Sequence, residues 1–249
     1  MLALFLRTRI GRVAALIGFA GLFLAAGLTA RALVGGEHGH VEMGQLFVVG
    51  GYPLVSVLLL LGWLLGRYPL IATLALTAGI VSADRASGMS RLYAVRPTSL
   101  VGIYARRFFA IVAIALVLSA LLMPFFDIIM LGEWAGYATL VLIVSYIAVY
   151  GTLCFLLSVW FDHEVWLVLA LAIAAMVWDA LLRAGTLDSA APALRKGVAL
   201  VLPPQGALFQ LESAFGSIQP VPWAAFGYVM AYAAILLIAA FVSLHLREY

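Results

Sequence analysis

Residues 136–158 read GYATLVLIVSYIAVYGTLCFLLS and contain no charged side chain. Because an α-helix rises about 1.5 Å per residue, roughly 20 apolar residues cross the hydrocarbon core of a bilayer. The stretch is long enough for one crossing, and it therefore predicts a membrane-spanning α-helix.

The rest of the chain has the same character. Of its 249 residues 66% are hydrophobic and only 10% are charged, and the mean hydropathy is +1.15. Such a composition is typical of helical membrane proteins. We expect further spans at about 13–34, 103–125, 165–182 and 222–244, and one more crossing within 45–82. The sequence thus predicts an all-α integral membrane protein with about six transmembrane helices, cytoplasmic termini and one domain over 1–249.

The N-terminal segment has two interpretations. Arginines at 7, 9 and 12 among apolar residues predict that 1–12 form a short interfacial helix before the first span. A cleaved signal peptide is the alternative, with Ala30 and Ala32 as small residues near a cleavage site. The apolar core of a secretory signal peptide is usually about 7 to 15 residues long. The apolar stretch here is longer, which favours a membrane span.

Residues 45–82 are nearly all apolar and are interrupted by Arg67 and Pro69. Two crossings here would place five arginines of the next loop outside, against the positive-inside tendency. We therefore predict one crossing that reaches the cytoplasmic boundary near Ser82. Arg67 would then lie close to the outer boundary and extend its side chain towards it. The preceding stretch LFVVGGYPLVSVLLL, residues 46–60, is then expected to form an outer-leaflet or re-entrant piece packed on protein.

The two predicted outer loops differ in composition. Residues 35–44 read GGEHGHVEMG, so His38, His40, Glu42 and Met43 could bind a soft metal, although a flexible polar loop is the simpler interpretation. Residues 183–221 place short apolar pieces between basic residues and prolines, which predicts re-entrant or interfacial helices.

The charge of the chain points to lipid rather than nucleic acid as a partner. Its formal net charge is +3 with a pI near 9.2, and the arginines responsible lie beside the spans. The single cysteine, Cys154, excludes an intrachain disulfide and a cysteine metal cluster.

The densest charge lies in SADRASGMSRLYAVRPTSLVGIYARRF, residues 82–108, with five arginines and one acid. Met89, Leu92 and Tyr93 fall at i, i+3 and i+4, which predicts a short amphipathic helix. Pro97 then disfavours helix at the preceding residue, and the next span begins after it. Charge alone leaves two interpretations open: an anchor to lipid head groups, or a docking surface.

The order of residues in this stretch resembles the membrane subunits of type-2 ABC exporters. In that family an acid, a Gly-Thr step, a Leu-rich turn and Pro-[VTL]-[ST] precede a span that opens with Gly-Lys. Here the matching positions are Asp84, Gly88, the turn 91–95, Pro97 and Thr98. The chain departs from the pattern with Asp84 in place of Glu, Met89 in place of Thr, and Arg106-Arg107 in place of Gly-Lys.

The resemblance implies a permease subunit whose loop 83–98 is a coupling helix docked on a separate ATPase. The docking residues it implies are Asp84, Arg85, Gly88, Met89, Arg91, Leu92, Tyr93, Arg96, Pro97 and Thr98. It also implies a second permease copy or homologue and the bacterial inner membrane. A P-loop needs a lysine followed by Ser or Thr, but Gly197 follows the only lysine, Lys196. We therefore expect no ATP site and no enzyme activity in this chain, with ATP and magnesium bound by the partner.

Other charged residues fit structural roles. Asp162, His163 and Glu164 are consecutive and cannot converge on one helix face, so we expect them to end one span and begin the next. Asp179 could relay protons, but an i, i+4 pair with Arg183 is the simpler interpretation.

The spans carry few polar groups, which favours an amphipathic or lipid-like cargo attracted by the loop arginines. A free-standing ion-coupled carrier or an intramembrane enzyme is the alternative function. Either would need acids, a nucleophile or metal ligands facing one another inside the membrane.

Overall fold

A computed structural model describes residues 2–34, 66–89, 99–130, 134, 136–186, 191–216 and 219–247. These described residues form helices joined by turns and short connections, with no strand among them. The helices are α1 (Leu2–Arg7), α2 (Ile10–Val34), α3 (Tyr68–Thr77), α4 (Ser82–Ala86), α5 (Leu100–Met130), α6 (Tyr137–Trp160), α7 (Glu164–Arg183), α8 (Pro192–Val201), α9 (Gln205–Gly216) and α10 (Trp223–Leu246).

Five stretches of these helices are long and apolar enough to cross a membrane: Phe5–Ala25, Leu100–Phe125, Tyr137–Trp160, Glu164–Arg183 and Trp223–Leu246. The prediction of an all-α, multi-pass membrane protein is therefore confirmed. The first of these stretches starts earlier than the predicted 13–34, because Phe5 and its neighbours already belong to the apolar run.

Helix α6 lies at the centre of the bundle. About 72% of its span is buried, against 17–28% for the other four spans, and it packs against α3, α5, α7, α9 and α10. Rings hold the central packing: Phe155 stacks on Phe108 of α5 at 4.7 Å and meets Phe241 of α10 at 5.8 Å. A Cβ at Gly151 would lie 3.2 Å from Thr73 Cγ2, so this glycine allows α3 to approach closely.

Helix α3 ends at Thr77, five residues before the predicted boundary near Ser82. Gly79 adopts φ +74°, a left-handed conformation that glycine accepts readily and that ends helices. The chain turns there and forms the short helix α4. The ten residues of α3 extend only about 15 Å, so the described part of the predicted second crossing covers half a bilayer core.

Contacts between helix ends give the bundle two distinct ends. At one end, Arg12 of α2 contacts the end of α3, Arg85 of α4 contacts the end of α6, and Arg247 after α10 covers the ring of Trp160. We call this end, where α2 starts and α10 finishes, the basic end. At the opposite end, Thr139 at the start of α6 donates a hydrogen bond to buried Asp127 of α5.

Helices α8 and α9 are joined by a short connection that contains Pro203 and Pro204. The residues beside this connection contact two spans: Tyr232 of α10 donates to the Val201 carbonyl at 3.2 Å, and Tyr150 of α6 donates to Gln205 Oε1 at 3.2 Å. Helix α9 packs into the bundle beside α6, α7 and α10. Its placement relative to a bilayer stays a prediction.

Candidate functional site

Four of the ten predicted docking residues belong to the described part of the chain: Asp84, Arg85, Gly88 and Met89. The other predicted docking residues lie outside the described residues: Arg91, Leu92, Tyr93, Arg96, Pro97 and Thr98. The structure thus shows the corner from which the predicted loop leaves, and we call this segment, 78–89, the corner.

Asp84 connects the corner to α5. It forms an ion pair with buried Arg107 and accepts a hydrogen bond from the Tyr104 hydroxyl at 3.3 Å. Arg107 in turn lies over the Phe5 ring at 4.6 Å. The sequence signal for this pair was the one acid among five arginines, although sequence alone did not indicate which arginine it would bind.

Arg85 connects the corner to the end of α6. Its guanidinium donates to the Val159 carbonyl at 2.5 Å and forms an ion pair with Asp162. The hydrogen bond from Arg85, together with its charge, lowers the pKa of the Asp162 carboxyl below the usual value. An acid paired in this way stays ionised at neutral pH.

Glu164 connects the corner to α7. Its Oε1 accepts hydrogen bonds from the Gly79 N–H at 2.6 Å and the Ser82 hydroxyl at 3.0 Å, and the residue is only 2% exposed. Helix α6 ends at Trp160 and α7 begins at Glu164, so the prediction that these acids separate two spans is confirmed. The cross-link to Gly79 and Ser82 was not predicted.

Two arginines of the N-terminal segment hold the end of α3. Arg9 donates to the Ala78 carbonyl, and Arg12 donates to the Ala75 and Ala78 carbonyls at 2.9 and 2.7 Å. Cations suit this position because the last carbonyls of a helix lack intrahelical partners and carry partial negative charge. The corner is therefore fixed to α2 as well as to three later helices.

The predicted loop departs from this fixed point. Gly88 adopts φ +74°, and Met89 is partly exposed where the described segment ends. Because α4 is fastened by different residues to α5, α6 and α7, a displacement of the following loop would act on all three helices together.

A second polar cluster lies in the interior, near the middle of the bundle. Arg67, just before α3, forms an ion pair with Glu212 of α9 at 3.1 Å, and the Tyr146 hydroxyl of α6 donates to the same carboxylate. The Tyr150 ring stacks on Tyr146 at 5.9 Å. Arg67 is therefore paired inside the protein, a contact that was not predicted, and its position relative to the membrane boundary stays a prediction.

Glu212 was not singled out from the sequence, because nothing in LESAFG marks it as facing the interior. The available signal was Arg67 itself. A charged side chain within an apolar run needs a partner, and few acids occur in the apolar segments of this chain. Asp127, also buried, was likewise missed.

The predicted pair at the far end of α7 is confirmed. Arg183 and Asp179 form an i, i+4 ion pair, and Arg183 also lies over the Phe209 ring of α9 at 3.8 Å. The pair therefore lies where α7 meets α9, with Arg183 making the contact.

The metal-binding hypothesis for His38, His40, Glu42 and Met43 falls on residues outside the described ranges. Within those ranges no three His, Cys, Asp or Glu side chains converge as metal ligands. Cys154 is buried in α6.

No protein-family model, no curated protein and no solved structure matches the chain. Its class rests on its own helices. With five candidate spans among the described residues, buried ion pairs between its helices and apolar side chains on their outer faces, the chain is a multi-pass helical membrane protein.

Proposed function

We propose that this chain is the membrane subunit of a type-2 ABC exporter in the bacterial inner membrane. The resemblance of residues 84–98 to the coupling segment of that family suggests it, and one structural observation carries it. Helix α4, directly before the proposed coupling loop, is fastened to α5 by Asp84, to α6 by Arg85 and to α7 through Ser82.

These contacts matter because they oppose any movement of α4 that is independent of α5, α6 and α7. Breaking a buried ion pair by removing one partner costs about 3–5 kcal/mol, and the Arg107 side chain of the Asp84 pair is only 6% exposed. A push on the loop is therefore transmitted to the spans rather than absorbed in the corner. In the proposed cycle, closure of the ATPase subunits moves the loop, and α5, α6 and α7 move with it.

In this proposal the energy for transport comes from ATP hydrolysis in a partner subunit. The chain itself is not an enzyme, and ATP and magnesium bind to a separate P-loop subunit on the cytoplasmic side. A second copy of this chain or a homologue completes the transport path, as in the family that the loop resembles. The basic end, which holds both described termini, is the cytoplasmic end.

The proposed cargo is an amphipathic or lipid-like molecule. Charges in the interior of the described bundle are used in contacts between its elements, such as Arg67 with Glu212. The outward surfaces of α5, α7 and α10 carry large apolar side chains, including Leu121, Ile173 and Ile235, which are exposed. Such surfaces suit a cargo that enters sideways from the membrane.

An ion-coupled carrier is the second candidate, and a specific observation favours it. Glu212 lies among helices with Arg67 and the Tyr146 hydroxyl, which is the kind of interior acid that carriers use to bind protons. In that case transport needs this chain alone and a proton gradient.

Affinity isolation distinguishes the two. We expect the tagged chain, isolated in mild detergent from its native membranes, to bring with it a P-loop protein and magnesium-dependent ATP hydrolysis. Replacing Leu92 and Tyr93 with Asp should abolish both, because charges would replace the apolar docking face, while the amount of membrane-inserted chain stays unchanged.

The matched control is Trp134→Asp, an exposed apolar position at the opposite end, which should keep the ATPase. Two results would refute the exporter proposal: wild-type chain that isolates without a P-loop protein, or proton-driven transport by the chain alone that Glu212→Gln abolishes.

A further inference from the structure

A cavity of about 310 Å³ opens at the basic end, between the start of α2, the corner and the start of α7. Arg12, Gly79, Ser82, His163, Glu164 and Trp166 are among the residues that line it. Its volume is at the lower end of the roughly 300–1,000 Å³ typical of small-molecule sites. The contacts that fasten the corner to the helices do not fill this cavity.

One residue of the cavity lining carries an unused acceptor. Glu164 Oε1 accepts two hydrogen bonds from the corner, whereas the buried Oε2 has no hydrogen-bond partner among the described residues. Glu164 as a whole is only 2% exposed. A buried carboxylate oxygen without a donor is costly, so the site favours a ligand that brings an N–H group.

Arg12 provides the opposite charge on the same wall. One of its nitrogens, Nη1, already donates to the Ala75 and Ala78 carbonyls, which fixes the side chain in place. The residue is exposed, and its guanidinium carries further N–H groups that can donate to an anion. The cavity lining thus combines a cation held in place, Arg12, with two carboxylates, the buried Glu164 and the exposed Asp162 that Arg85 already pairs. Opposite charges at one site are the pattern that a zwitterion matches.

The side of the cavity towards α7 is suited to lipid. Trp166 is 73% exposed, and Ile173 and Val177, on the same helix face, are 62% and 54% exposed. Tryptophan is common at membrane interfaces, where its ring meets both head groups and acyl chains. An acyl chain can follow this face while its headgroup occupies the cavity.

We propose that the cavity binds the headgroup of a phospholipid with a primary ammonium, as in phosphatidylethanolamine. The ammonium donates to Glu164 Oε2, and the phosphate accepts from Arg12. A choline headgroup has the same charges but no N–H, so it leaves the buried oxygen unpaired. The inference does not depend on the exporter proposal, because it concerns lipid bound to this chain without an ATPase.

The test uses the purified full chain, stripped of lipid and offered ethanolamine and choline phospholipids with identical acyl chains. We expect native mass spectrometry to show about tenfold more retained ethanolamine lipid, because only that headgroup can donate a hydrogen bond to the carboxylate. Stepwise N-methylation should reduce retention most sharply at the third methyl group, where the last N–H is lost. This series needs no variant. Equal retention of the two lipids would overturn the proposal.

Variants of the cavity residues test whether the lipid preference arises in this cavity. Glu164→Gln keeps an oxygen for Gly79 and Ser82 but replaces the free acceptor, so it should remove the preference between the lipids. Arg12→Gln should reduce retention of both. Arg106→Gln, an exposed arginine outside the cavity, is the control and should change neither.

The same assay separates lipid from soluble ligands. We expect glycerophosphoethanolamine, which has the headgroup without acyl chains, to leave the bound lipid in place. Displacement by this soluble compound at comparable concentration would contradict the lipid assignment. A preference for ethanolamine lipid that survives Glu164→Gln in folded protein would contradict the cavity assignment.

Discussion

Individual charged residues determine how this apolar chain holds its helices together. In lipid the hydrophobic effect does not drive one helix against another, so close packing and polar pairs carry the specificity. The Asp84–Arg107 pair is the clearest case, because it joins the corner to α5 and both side chains are largely buried.

Removing one member of this pair should therefore leave a charge without its partner. For Asp84→Asn we expect a loss of about 1–3 kcal/mol in the free energy of unfolding, since the remaining guanidinium stays buried. The reversed pair, Asp84→Arg with Arg107→Asp, should recover much of that loss. Thermal unfolding in detergent measures both.

Arg106→Gln serves as the matched control, because Arg106 is an exposed neighbour on the same helix. It should unfold like the wild type. A reversed pair no more stable than the single variant would show that the Asp84–Arg107 contact does not hold the corner.

The spans could be predicted from the sequence, but their packing could not. Long apolar runs in the sequence predict the ends of α5, α6, α7 and α10 to within a few residues. The largest difference is at the end of α5, which reaches Met130 instead of the predicted residue 125. Apolar side chains that face lipid and those that face protein look alike in the sequence. The central position of α6 was therefore not predictable.

Contacts between residues far apart in the sequence could not be predicted either. The acid for Arg67 lies 145 positions away in a different helix, and no local spacing reports such a contact. Glu164 was expected only to mark a helix boundary, yet it also binds Gly79 and Ser82. The local i, i+4 pair of Asp179 and Arg183 was predictable because helix geometry alone brings it together.

Among the elements, the short helix α3 depends on contacts at both of its ends. Arginines 9 and 12 hold its last carbonyls, and Arg67 before its first turn is paired with Glu212 of α9. A helix of ten residues is too short to be stable alone, so these end contacts add to its packing against α5 and α6.

A double-mutant cycle tests the attachment of α3 to α9. We expect Arg67→Met and Glu212→Leu to destabilise the fold separately by about 1–3 kcal/mol, because each leaves one partly buried charge without its partner. The double variant should be more stable than either single variant, since it leaves neither charge. Chemical unfolding of the purified protein provides the comparison.

Additive losses in the double variant would mean that the two residues act independently. That result would remove the Arg67–Glu212 ion pair as the link between α3 and α9.

At the scale of the whole molecule, charge is divided between the two ends of the bundle. The basic end gathers Arg9, Arg12, Arg85, Arg107 and Arg247 around the corner. Arginines concentrate on the cytoplasmic side of membrane proteins, so this end is expected to face the cytoplasm. The proposed function depends on that orientation, because a cytoplasmic ATPase can dock only on a loop exposed there.

Cysteine labelling in cells tests this orientation directly. In a Cys154→Ala background, a cysteine at position 90 should be protected from membrane-impermeant maleimide in intact cells and react after permeabilisation. A cysteine at position 39, in the predicted outer loop, should react in intact cells. Labelling of position 90 in intact cells would place the proposed coupling loop outside and contradict the account.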